Sequence, residues 1–176
     1  MPDLARELYV TENLLDQVRS ADAGHFTELM IVGAPTFANR PRFESMLETK
    51  LDQAVFLDSD TYFVEPTYDL FELLDLFGVA AAPAPQYFHP RTIEEGIYER
   101  LLPTVSEAIP EWNGGVIVAN VTSAYREMVR EWIQLFAICR AQNYDMDPPS
   151  LRCALATSRL RVATLPNNYN LRANMA

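Results

Sequence analysis

Short apolar runs alternate along the chain with stretches whose apolar residues recur every three or four positions. This pattern predicts an α/β domain with a mostly parallel central sheet flanked by helices. Strands are predicted over residues 7–10, 29–32, 54–57, 79–82 and 115–119, with a less regular sixth over 161–165. Residues 12–21 and 41–49 read as short helices. After Pro66 a further helix is predicted, with Thr67 as its cap, Leu70, Phe71, Leu74 and Phe77 as its core stripe and Gly78 as a left-handed stop. Strand, loop, helix and strand there occupy one βαβ unit. A longer helix follows Thr122, where Tyr125, Met128, Val129, Trp132, Ile133 and Phe136 form a stripe read as core packing and not as a ligand cage. From Pro83 to Pro110, five prolines punctuate a segment expected to include loop over the sheet, placed where it can cover a substrate.

The length of 176 residues suits one domain, 1–176, and neither an internal repeat nor a linker divides it. With 49% hydrophobic and 22% charged residues, the chain is expected to be globular and not disordered. Fourteen basic residues against twenty-four acidic ones give a formal charge of −10, a field that repels phosphate polymers and anionic membranes, so nucleic acid is not an expected partner. Lys50 is the only lysine, and nothing around it suggests Schiff-base or P-loop chemistry. The start lacks the apolar core of a signal peptide, and no run approaches the roughly 18 apolar residues of a membrane span, so a cytoplasmic location is expected. Cys139 and Cys153 are too far apart for a metal knuckle or a CxxC redox pair and read as buried free thiols. His25 and His89 read as surface residues in a turn and in the proline-rich loop.

The most informative segment runs Ala54-Val55-Phe56-Leu57-Asp58-Ser59-Asp60-Thr61-Tyr62. An apolar strand ends in two carboxylates at i and i+2. Extended geometry puts them on one side, at the carboxyl edge where open α/β sheets bind ligands. Two like charges held this close call for a counter-charge, and a divalent cation lets both stay ionised. Hard oxygen ligands suit Mg2+ or Mn2+, ions that keep positions open for substrate phosphates, so a diphosphate is the implied ligand. The alternative is structural: Asp58 caps the loop and Asp60 is solvated.

Two enzyme classes place such a pair after a strand. Haloacid-dehalogenase-like phosphotransferases use the first Asp as nucleophile and the second as acid/base. Here Thr61 and Tyr62 depart from the residues usual after their second Asp, and Lys50 precedes the pair where that family has a later lysine. The second class matches in several places. Residues 55–62, the Asn113-Gly114-Gly115-Val116-Ile117-Val118 segment, and Asp147 followed by an apolar helix and Asn168-Tyr169-Asn170 resemble, in order, the motifs of GT-A fold glycosyltransferases. The likeness is closest to family 8-like, nucleotide-diphospho-sugar transferase proteins and covers nearly the whole chain.

That resemblance implies a single GT-A-like, Rossmann-like domain. It also implies transfer of a sugar from a nucleotide-diphosphate donor, with UDP-sugar the expected donor, to an unidentified acceptor, with a retaining outcome. Asp60 would be the firmer metal ligand and Asp58 would be shared between the metal and the donor ribose, with Ser59 between them on the donor side. Mn2+ or Mg2+ would act as Lewis acid toward the departing nucleoside diphosphate. Arg42, with Arg40 as its near alternative, would reach the donor. The Asn113-Gly114-Gly115 turn would lie beside the donor sugar. Two glycines entering a buried strand independently indicate close backbone approach or a positive φ, and Asn113 can donate and accept hydrogen bonds to sugar hydroxyls. Asp147 would touch donor sugar hydroxyls, and it can also cap the helix opened by Pro148 and Pro149. The family has Gln where this chain has Pro148. It also has a further βα unit before the first strand seen here and a metal-binding histidine beyond Asn170, so the chain is expected to be incomplete at both ends.

Three readings stay open on the sequence. One is an active transferase, and another is a dehalogenase-like phosphohydrolase using Asp58 and Asp60. The third is an inactive GT-A-like binding or assembly module, whose exposed sheet edge would favour a homo-oligomer.

Overall fold

The computed structural model describes residues 4–21, 24–33, 41–61, 63–84, 105, 106 and 108–170. The chain divides into two compact units, Met1–Thr49 and Lys50–Ala176. Most of the proline-rich segment, with His89, lies outside the described residues, as do Arg40 and Tyr62.

In the first unit, β1 (Glu7–Thr11) and β2 (Glu28–Val32) pair in parallel, Glu7 opposite Glu28 through Thr11 opposite Val32. Parallel neighbours need a crossover. It is built from a 3-10 turn, Glu12–Leu14, and α1 (Leu15–Ala21), in place of the continuous helix predicted over 12–21. Then α2 (Pro41–Glu48) opens on a proline whose fixed φ suits the first helical position. Its Phe43 and Met46, three residues apart, are fully buried, and the helix packs on β1.

The second unit is a four-stranded sheet of β3 (Gln53–Leu57), β4 (Val79–Pro83), β5 (Trp112–Asn120) and β6 (Val162–Thr164), in the order β3-β5-β4-β6. β5 is antiparallel to both β3 and β4, while β6 is parallel to β4. Three strands therefore run one way and β5 runs against them through the middle, which makes the sheet mixed, with one parallel and two antiparallel ladders. The predicted βαβ unit exists as β3, α3 (Asp69–Glu72) and β4, but β5 separates its two strands.

Strand alternation divides the core into two layers. On one face Val116 and Val118 pack with Ala80, Ala82, Leu165 and the helical residues Leu70 and Leu74. On the other, Phe56 stacks on Tyr125 with ring centroids 5.8 Å apart and planes 12° from parallel. Tyr125 belongs to α4 (Ser123–Ala141), where Thr122 caps the helix by accepting from the Tyr125 backbone N–H at 3.2 Å. Met128, Val129, Trp132 and Phe136 are buried, so the aromatic stripe is core packing as predicted. Next, α5 (Pro148–Thr157) is buried from Pro148 to Leu155. The Trp132 indole N–H donates to Ser150 Oγ at 3.2 Å, and that hydroxyl donates to the Asp147 carbonyl at 2.9 Å. Arg152, only 3% exposed, donates to the carbonyls of Ile109 (2.9 Å) and Ser106 (2.8 Å) and so ties α5 to the approach to β5.

Three local expectations are corrected. The helix after Pro66 is one α turn followed by a 3-10 turn, Leu73–Asp75. Thr67 does not cap it: its hydroxyl is buried with no hydrogen-bond partner among the described residues. Gly78 is not left-handed; it is where Leu160 packs close, 3.0 Å from the position a Cβ would take.

Cys139 and Cys153 are buried thiols that form no disulfide, as read from the sequence. Burial, with smaller charge effects, pushes the Cys153 thiol from 9.0 up to about 11. A raised value favours the protonated, folded form. This contribution to stability is therefore complete below pH 9.0 and lost as pH rises toward about 11. Urea unfolding across that window should show the parent losing stability more steeply than Cys153→Ala; equal slopes would contradict this assignment.

Candidate functional site

The site grows from the end of β3. The Asp58 N–H donates to the Gly115 carbonyl at 3.0 Å, one rung beyond the Leu57–Val116 pair. The Thr61 N–H then donates to the Asp58 carbonyl at 3.0 Å and closes a turn over residues 58–61. Asp58 is thereby anchored to the sheet and half-buried, while Ser59 and Asp60 stand exposed in the same turn.

Opposite this turn, β5 carries an irregularity. Ala81 pairs with Ile117 but Ala82 pairs with Asn113, so one step along β4 matches four along β5. The Gly114–Val116 stretch bulges from β4 while its far side stays in register with β3. Bulges re-aim side chains at the ends of ladders, and this one delivers Asn113 to the Asp58 turn.

A Cβ built on Gly115 would lie 2.7 Å from Asn113 Oδ1, 3.2 Å from Asp58 Oδ2 and 3.5 Å from Asn170 Nδ2. Four residues meet there, two of them brought from positions 58 and 170. The Gly115 N–H donates to Asn113 Oδ1 at 2.7 Å, and Asn170 Nδ2 donates to the same oxygen at 2.9 Å. Of the two explanations for the paired glycines, close approach holds at Gly115; the positive-φ glycine among the described residues is Gly24. Gly114 is buried within β5 beside it. Asn170 closes a 3-10 turn, Asn167–Asn170, that packs on β4 and β5. Its neighbour Tyr169 donates its hydroxyl to the Asp69 carboxylate. That bond first, then burial and the carboxylate's charge, push the phenol above its usual range.

The sequence-predicted residues thus separate. Asp58, Asn113 and Gly115 come together, with Ser59 and Asp60 in the adjoining turn and Gly114 beside them. Asp147 lies at the start of α5. Its carbonyl accepts from the Leu151 N–H at 2.9 Å, and its side chain does not cap the helix as expected. Arg42 belongs to the first unit, half-buried, with its guanidinium carbon 5.6 Å from the centre of the Phe43 ring. Asn170 had no role assigned from the sequence beyond its place in a motif. The signal was the Asn-Tyr-Asn run, whose partner lies 57 residues away.

Among the described residues, no group of three or more His, Cys, Asp or Glu side chains is placed to hold a metal. Asp58 and Asp60 supply two carboxylates in one turn, Asp60 facing solvent. That donor set fits a hard divalent cation whose remaining positions are filled by water and phosphate oxygens.

No protein-family model matches the sequence, and no curated protein sequence matches it. Solved structures do. The glycosyltransferase GlyE of Streptococcus pneumoniae TIGR4 superposes with a TM-score of 0.51 at 18% identity, over 94% of this chain and 46% of GlyE. The galactosyltransferase LgtC, in complex with donor and acceptor sugar analogues, gives 0.54 at 16% identity over 99% of this chain and 70% of LgtC. An active-site mutant of LgtC gives 0.55 at 16% identity with the same coverage. The chain spans less than half the length of GlyE. No helix among the described residues is long and apolar enough to cross a membrane. With its mixed sheet and flanking helices, the chain has the α/β fold of GT-A-like glycosyltransferases.

Proposed function

We propose that this chain is a metal-assisted glycosyltransferase that moves a sugar from a nucleotide-diphosphate donor, a UDP-sugar, to a hydroxyl-bearing acceptor. The observation that carries this reading is the convergence of Asp58, Asn113, Gly115 and Asn170 at the carboxyl end of β3, in a fold shared with glycosyltransferases. LgtC is solved with both donor and acceptor sugar analogues, and the same pairing of ligands is assigned here. The retaining outcome and the contact of Asp147 with donor hydroxyls rest on the family 8 resemblance.

Asp58 and Asp60 would hold the cation, Mn2+ or Mg2+, which when bound offsets the charge of a departing nucleoside diphosphate. The ladder bond at Asp58 fixes one carboxylate against the sheet before any ligand arrives, which lowers the ordering cost of binding. Asp60, exposed in the turn, is free to meet a cation from solvent. The Asn113 amide lies beside Gly115, where the missing side chain allows close approach. The phosphohydrolase reading rests on the two carboxylates alone, whereas the transferase reading also accounts for Asn113, Gly115 and the fold.

Thermal unfolding with Mn2+, then Mn2+ plus UDP, GDP, UDP-glucose or UDP-galactose, tests this on the parent and on Asp60→Asn. A ligand near a hundredfold its Kd stabilises by about 2.7 kcal/mol, which amounts to several degrees. The expected result is a nucleotide shift that requires Mn2+ and disappears in Asp60→Asn. A parent indifferent to every nucleotide, or a variant that responds equally, would defeat the proposal. Phosphate release from an aryl phosphate that depends on Asp58 would instead favour the phosphohydrolase.

A further inference from the structure

Adjacent residues of the Asn167–Asn170 turn reach different elements, because successive side chains of a 3-10 helix diverge by about 120°. Asn170 meets Asn113 on β5 at 2.9 Å. The Tyr169 ring packs instead on the core layer that includes Leu70 and Leu165, and its hydroxyl donates to the Asp69 carboxylate at the start of α3, 100 residues earlier in the chain. The two sides of this contact are unequally secured. α3 is fixed by Leu70, fully buried, and by Leu74 beside it in the core. The turn has no buried residue: Asn167 and Asn168 are exposed and Tyr169 is half-buried. So α3 is the anchor, and the turn is what the bond restrains. Ring packing delivers the phenol with much of its rotamer freedom already lost, so a bond to a charged acceptor needs little further ordering.

A circuit of bonds closes through the site. The Asp58 N–H donates to the Gly115 carbonyl, the Gly115 N–H to Asn113 Oδ1, and Asn170 Nδ2 to that same oxygen. Tyr169, one peptide bond from Asn170, leads back to Asp69 on the segment that follows Asp58 and Asp60. We propose that Asp69 and Tyr169 are positioning residues: their bond clasps the Asn167–Asn170 turn to α3 and so holds Asn170 against Asn113. The clasp itself needs no ligand, and its effect on nucleotide binding rests on the glycosyltransferase reading. It requires a hydroxyl at position 169 and an acceptor at position 69, not a net charge. Asp69→Asn therefore preserves it, whereas Asp69→Ala and Tyr169→Phe remove it. Tyr169→Phe also leaves the ring in the core, which isolates the hydroxyl.

Amide NMR of the full chain, without ligand, reads the clasp. In Tyr169→Phe and Asp69→Ala the Asn170 side-chain amide and the Gly115 backbone amide should shift, and in Asp69→Asn both should stay close to the parent. A contact that only adds stability would lower the melting temperature and leave those resonances in place. That outcome, or shifts as large in Asp69→Asn as in Asp69→Ala, would overturn the proposal. Titration calorimetry with Mn2+ and UDP-glucose or UDP-galactose reads the consequence. Binding should be about three- to tenfold weaker in Tyr169→Phe and Asp69→Ala and restored in Asp69→Asn. Unchanged affinity in the two disrupting variants would overturn the positioning role. A parent that binds no UDP-sugar would defeat the proposed function, while the NMR result would still decide whether Asp69 and Tyr169 hold Asn170 in place.

Discussion

Replacing Gly115 with alanine is expected to abolish the Mn2+-dependent response to nucleotide and to cost about 1–3 kcal/mol of stability. The added methyl would sit 2.7 Å from Asn113 Oδ1 and 3.2 Å from Asp58 Oδ2, so at least one of them must move. Neither moves at little cost. Asn113 Oδ1 is held by the Gly115 N–H and by Asn170, and the Asp58 backbone is tied to the Gly115 carbonyl. The φ at Gly115 lies outside the left-handed region, so the expected loss is steric and concentrated at the site. Gly78→Ala is the matched control. Its methyl would meet Leu160 Cδ2 at 3.0 Å, the end of a side chain that can rotate. A cost below about 1 kcal/mol and an unaltered nucleotide response are expected there. Urea unfolding and thermal shift on the two variants check the pair, and similar behaviour of both would contradict the assignment of Gly115 to the site.

The largest expected loss of stability is at Trp132. Its side chain is fully buried, and its indole N–H donates to Ser150 Oγ, which in turn donates to the Asp147 carbonyl. Trp132→Ala should cost about 3–5 kcal/mol, from lost burial and from the cavity left between α4 and α5. A typical domain has about 5–15 kcal/mol in total, so this variant stands near the limit of folding. Trp132→Phe keeps most of the volume and gives up the indole donor, and about 1–2 kcal/mol is expected. Chemical denaturation measures both. A cost under about 1 kcal/mol for the alanine variant would mean that the surrounding helices close over the gap.

Strand positions were legible because apolar runs such as 54–57 and 79–82 have few alternatives once both faces of a sheet are covered. The stripe in α4 was legible for the same reason. What the stripe after Pro66 could not reveal was backbone type. Leu70 and Leu74 are buried as expected, yet a stripe spaced by four residues fits one α turn joined to a 3-10 turn as well as a continuous helix. The sequence starts β5 at Gly115, three residues late, because the glycine pair reads as the entry to the strand. They lie within it, at a bulge. At the site, Asp58, Asp60 and Asn113 were visible through residue type next to a buried strand. The role of Asn170 was not, since it depends on a hydrogen bond to Asn113 that only the packed sheet brings about.

The mismatch between β4 and β5 turns chain length into a constraint of its own. Trp112 reaches Thr164 with its indole N–H at 3.0 Å only because three residues separate Asn113 from Ile117. Losing or gaining one of them would send every side chain upstream to the opposite face of the sheet, taking Trp112 from its threonine and Asn113 from its glycine together. Away from Gly115 the identities of residues in this stretch can drift within steric bounds, but their number cannot, so a family grown from this scaffold would keep that glycine, tolerate other substitutions beside it and reject single-codon insertions.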